Sequence, residues 1–215
     1  MRGLFVSIKV CHNLLGEVLR KQVVGVPHGN DWFTTLTLKS THTMLSQRID
    51  EGRLIPWTPM MEGEPCVRTP FISDKINELF DPEQWNDPSL GVRYAQLSVD
   101  FDHFVTGQML AVGWEPYEKG ENAFMARIDP EESGIWSMRS CAPLPSIRVL
   151  GAFYGADVFV ALIARRRSEL DGPRGRKWSN AKEYTMAMWD DLLPNKERMI
   201  GEDLNDFITE KKTIV

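Results

Sequence analysis

Nine basic side chains fall within residues 134–182: Arg139, Arg148, Arg165, Arg166, Arg167, Arg174, Arg176, Lys177 and Lys182. Only Asp157, Glu169 and Asp171 oppose them, so this segment carries +6 in a chain whose net charge is −5. Arginine presents a planar fork that meets phosphate or carboxylate with two hydrogen bonds and stacks on bases. Trp178, beside Lys177, adds a stacking plane. The chemistry these residues can do is recognition of a polyanion, RNA or DNA or an acidic protein, with binding that weakens as salt rises. A plainer reading competes with it. Three arginines at a strand end are also a solvated edge that blocks aggregation, and Asp190, Asp191, Glu202 and Asp203 are candidates to neutralise them inside the fold.

Other groups offer less. Asp100 and Asp102 alternate along what reads as a strand, with His103 next, so both carboxylates face one side about 7 Å apart. Such a pair can hold a metal or act as acid and base, and it is equally a solvated strand face. Cys11-His12 is an adjacent pair, and His28 and His42 lack metal-ligand spacing. Cys141 lies in a loop near Arg139 with no base beside it. Gly172-Pro173-Arg174-Gly175 leaves two residues between its glycines where a phosphate loop needs four, though a backbone anion nest remains open to it. Gly107, Gly113 and Gly120 do not form a dinucleotide fingerprint, and no cofactor is expected.

The elements that position these residues follow from periodicity. Leu4–Val10, Glu17–Val26 and Trp32–Lys39 read as a three-stranded meander, and Thr41 caps a helix through Glu51. Six of the thirteen prolines then fall within residues 56–88, where only Ser73–Phe80 reads as helical, with Ser73 as its cap. Strands follow at Val92–Phe101, Phe104–Val112, Asn122–Ile128, Ile135–Arg139, Ile147–Phe153 and Asp157–Ile163. A helix begins near Asn180, with Glu183 completing a capping box, and ends before Pro194; a short one covers Glu202–Glu210. Short connections favour antiparallel neighbours. The expected fold is α+β, with a largely antiparallel sheet and a few packed helices.

Within residues 134–193, IWSMR, IRVLGAF and DVFVALIARRRS followed by a helix resemble the core of the RelE/HigB-like toxins. The resemblance aligns Arg139 and Arg148 with that family's sheet arginines and Arg165, Arg166 and Arg167 with its basic strand exit. It implies ribosome-dependent mRNA cleavage and an antitoxin partner.

The chain reads as one α+β unit of 215 residues. The alternative is a meander and helix over 1–55, a proline-rich connection over 56–90 and a sheet with helices over 91–215. Three scattered cysteines without a CxxC pair suit a reducing cytoplasm. No apolar run reaches the roughly 18 residues of a membrane span, so no membrane is expected. Three functions stay open. One is a non-catalytic binding or regulatory protein that uses Arg139, Arg148, Arg165, Arg166, Arg167, Arg174, Arg176, Lys177 and Trp178 on nucleic acid or an acidic partner. Another is a RelE-like endonuclease or inactive relative. The third is a small-molecule or metal-dependent enzyme built on Asp100, Asp102 and His103.

Overall fold

A computed structural model describes residues 44–85, 87, 90–115, 120–172 and 175–215. The expected N-terminal meander lies outside the described residues, as does Arg174. The chain divides into two compact units, Met1–Gln47 and Arg48–Val215. The sheet and the helices packed on it belong to the second unit. No helix among the described residues is long and apolar enough to cross a membrane.

Eight strands form one sheet: β1 (Leu54–Pro56), β2 (Thr69–Ser73), β3 (Leu110–Gly113), β4 (Met125–Arg127), β5 (Ile135–Ser140), β6 (Ile147–Gly155), β7 (Val158–Arg166) and β8 (Lys212–Ile214). Their spatial order is β1-β2-β7-β6-β5-β4-β3-β8. The centre, β4 through β7, is antiparallel, as is the β1–β2 pair. The pairs β2–β7, β3–β4 and β3–β8 are parallel. The sheet is thus mixed, with its longest ladders antiparallel. The strands of the centre are joined by short loops, which only antiparallel neighbours allow; the parallel pairs join strands with longer connections between them.

After β1 the helices are α1 (Asp74–Asn77), α2 (Gly91–Val105), α3 (Arg176–Leu192) and α4 (Leu204–Phe207). Ser73 caps α1 as expected, its Oγ accepting from the Ile76 N–H at 3.3 Å. Residues 92–101, expected as a strand, are helix. Leu97 and Phe101 satisfy a period of two, but they are also four apart, and with Arg93, Phe104 and Val105 they make a buried helical stripe while Val99 faces solvent. The strand expected over Phe104–Val112 shrinks accordingly to β3. Helix α2 and α4 pack on one face of the sheet in a core with Trp136, Met138, Val149 and Phe153. Helix α3 packs against β5, β6 and β7, and its buried Ala181, Thr185, Trp189 and Leu192 lie outside that core, so it covers the opposite face. Covering both faces explains why β5 to β7 are almost continuously buried.

Candidate nucleic-acid interface

Register turns the scattered arginines into a row. Arg139 of β5 pairs with Arg148 of β6, and Arg148 pairs in turn with Arg165 of β7. Directly opposed residues of an antiparallel ladder share a face, with Cα atoms about 4.5–5.5 Å apart. The row alternates with Met138, Val149 and Ala164, which face the main core, so it lies on the α3 side of the sheet. Arg139 and Arg148 are half-buried and Arg165 is exposed. Arg166 ends β7 and Arg167 opens the 3₁₀ turn that follows it.

Three like charges opposed across a sheet destabilise it, and internal partners do little to relieve them. Arg139 Nη1 donates to Gly120 O at 2.8 Å, Arg165 Nη1 to Ala164 O at 2.9 Å and Arg167 Nη1 to Leu170 O at 2.8 Å. Arg148 Nη1 lies 3.3 Å from its neighbour's carbonyl at Ile147 and 3.8 Å from Cys141 Sγ. Glu169 accepts the backbone N–H of Arg166, at 3.1 Å. Among the described residues, no carboxylate forms an ion pair with any of these five arginines, whereas Arg48, Arg53, Arg68, Arg127 and Arg198 each have one. Burial, and then the neighbouring charge of Arg148, lowers the pKa of Arg139; a guanidinium nevertheless stays protonated at neutral pH.

Beyond the glycine–arginine stretch, of which residues 173 and 174 lie outside the described residues, the first turn of α3 is held by the chain's own carboxylate. Helix α3 starts at Arg176, four residues before Asn180, because its cap comes from outside the helix. Asp171 accepts the N–H of Lys177 at 3.1 and 3.2 Å and that of Trp178 at 3.3 Å. These bonds lower its pKa. The first-turn amides that a phosphate would use are held by the chain's own carboxylate. A Cβ at Gly175 would collide with that carboxylate, so the close approach requires glycine there. Arg176 and Lys177 are exposed and Trp178 is half-buried. Lys182 Nζ donates to Asp129 O at 3.1 Å.

Asp100, Asp102 and His103 do not converge. On a helix, residues two apart point in nearly opposite directions. Asp100 accepts from Ser140 Oγ and from Gln96 Nε2, the latter at 3.2 Å. Asp102 accepts the Met60 N–H at 2.7 Å. His103 Nε2 lies 3.0 Å from Met109 O, with its ring stacked on Phe124. Among the described residues, no group of three His, Cys, Asp or Glu is placed to hold a metal.

Sequence reasoning missed Arg93. It sits on α2 and is 1% exposed. Its Nε donates to Pro145 O at 2.7 Å and its Nη2 to Ser140 O at 2.6 Å, at the two ends of the loop between β5 and β6. The signal was present: Arg93, Leu97 and Phe101 are spaced four apart, so a helical reading places a cation in an apolar stripe. A separate cleft of about 800 Å³ is lined by Asp190, Lys196, Glu197 and Arg198 among others. There Arg198 pairs with Asp190 at 2.7 Å and Lys196 lies over the Tyr154 ring.

No family model, curated protein or solved structure matches this chain.

Proposed function

We propose that this chain is a non-catalytic binding protein that grips the phosphate backbone of a nucleic acid. The observation that carries the proposal is the cross-strand row Arg139–Arg148–Arg165, continued by Arg166 and Arg167, with no carboxylate paired to any of them among the described residues. Arginines set one strand apart in register suit a repeating row of phosphates better than the irregular carboxylates of an acidic protein. Arg176, Lys177 and Trp178 are candidates for further contacts.

The test is fluorescence anisotropy with a labelled single-stranded 12-mer. Five phosphate contacts give a salt slope of about −3.5, so affinity falls roughly a hundredfold between 50 and 200 mM salt. Replacing Arg165, Arg166 and Arg167 by alanine abolishes binding at physiological salt. Salt-independent binding overturns the proposal, and so does binding of polyglutamate in place of the oligonucleotide.

A further inference from the structure

The loop between β5 and β6, residues 141–146, sets one arginine against a thiol, with a second arginine across the ladder from the first and a third holding the loop from beneath. Arg148 Nη1 lies 3.8 Å from Cys141 Sγ. Arg139 is the cross-strand partner of Arg148. Arg93 arrives from the other face of the sheet and closes the loop from beneath through Ser140 O and Pro145 O.

Arg93 is a buried cation without an ion pair among the described residues, and its Nη1 is buried with no acceptor. Its nearest carboxylate influence is Asp100, whose oxygens are taken by Ser140 and Gln96. A buried cation with an unmet N–H is costly unless negative charge stands nearby. Cys141 itself is exposed, so the thiol beside Arg148 is open to solvent.

We infer that this loop is an oxyanion site, in which one phosphate group sits over Cys141 between the forks of Arg139 and Arg148, with the charge of Arg93 behind it. The inference deepens the proposed function by naming where on the basic face a phosphate is held, and it rests on that reading only for the source of the phosphate. Free inorganic phosphate and a backbone phosphate carry the same chemistry.

Cys141 is a built-in reporter. The full chain is alkylated with iodoacetate, which bears a carboxylate, and separately with neutral iodoacetamide; peptide mass spectrometry reads the rates at Cys141 and Cys66. The reagent ratio cancels simple accessibility. Relative to Cys66 and to free 2-mercaptoethanol, Cys141 prefers iodoacetate by roughly tenfold or more, the low end of electrostatic focusing in a charged site. Arg148→Gln reduces the preference. Inorganic phosphate and the 12-mer are then added as protectants. Slowing by phosphate alone identifies a free-anion site, and slowing by the 12-mer identifies a backbone phosphate. Protection by neither overturns phosphate as the ligand. An equal reagent ratio at Cys141 and Cys66 overturns the oxyanion site even if the 12-mer binds in anisotropy. A clear iodoacetate preference without 12-mer binding keeps the site and overturns the nucleic-acid reading.

Discussion

Two groups of arginines in this molecule are chemically identical and structurally opposite. Arg68 is 1% exposed and sits in a basket of carbonyls. Its Nη1 reaches Phe104 O and Gln108 O, its Nη2 reaches Glu210 O and Lys211 O, and its Nε lies 3.7 Å from Asp157. Arg127 pairs with Glu131 at 2.7 Å and stacks over Trp114. The row Arg139–Arg148–Arg165 has only scattered carbonyls and one thiol. Partners are not scarce, since the chain has 30 acidic residues against 25 basic ones. Arginines kept only for stability would be placed like Arg68. Arginines opposed across strands without carboxylates reduce stability, a cost that the proposed anion would offset.

The comparison breaks most visibly at Arg68. Arg68→Met leaves Asp157 without its cation and removes the side-chain bonds to four carbonyls, two of which (Phe104 O and Lys211 O) keep a backbone donor, and it costs about 3–5 kcal/mol in urea unfolding. Arg148→Ala stays within about 0.5 kcal/mol of the parent. Equal losses would show that the row is also a structural device. Replacing Arg165, Arg166 and Arg167 by alanine removes three phosphate contacts, so the salt slope of 12-mer binding shrinks by about 2. An unchanged slope would move the interface elsewhere.

Arg148→Glu sharpens the contrast, because stability and binding are expected to move in opposite directions. A glutamate between Arg139 and Arg165 converts two repulsions into two cross-strand attractions and raises stability by about 0.2–1 kcal/mol. The same change puts a negative charge in the middle of the row, and oligonucleotide affinity falls. Loss of stability together with loss of binding would mean that Arg148 is needed by the fold.

Much of this row was legible in the sequence, but its alignment was not. The strands β5, β6 and β7 announce themselves by apolar β-branched runs and short connections, and the arginines stand near their ends. Which arginine meets which depends on register. Register here is reset by irregularities at Leu150/Gly151 and Phe153/Gly155, and a Cβ at Gly151 would collide with the Val160 carbonyl. A bulge shifts pairing by one residue without a periodic signal. Ser73 was legible because a cap acts on amides two or three residues away. The start of α3 was not, because Asp171 reaches it across a loop. The misreading of α2 hid both Arg93 and the true surroundings of Asp100, since four-residue spacing fits period two and helical period alike over a short run.

Arg93 and Asp100 stand between the two groups of arginines, and they give the smallest expected effect. Burial pushes the Asp100 carboxyl above the ordinary aspartate range, against the opposing hydrogen bonds from Ser140 and Gln96 and the attraction of Arg93. The folded chain therefore holds this proton more tightly than the unfolded chain does. Stability from this group is greatest at low pH and falls as pH rises from the ordinary aspartate value through the raised one. Asp100→Asn keeps an acceptor for Ser140 or Gln96 and removes the titration. Urea unfolding of both proteins from about pH 3.5 to about pH 6.5, a window that spans the ordinary aspartate value and the range above it, gives a difference that moves steadily in favour of the variant as pH rises. A difference that moves the other way would mean that Arg93 and Asp100 act as a true ion pair, which would place Arg93 with Arg68 among the ion-paired arginines and remove its free charge from beneath the Cys141 loop.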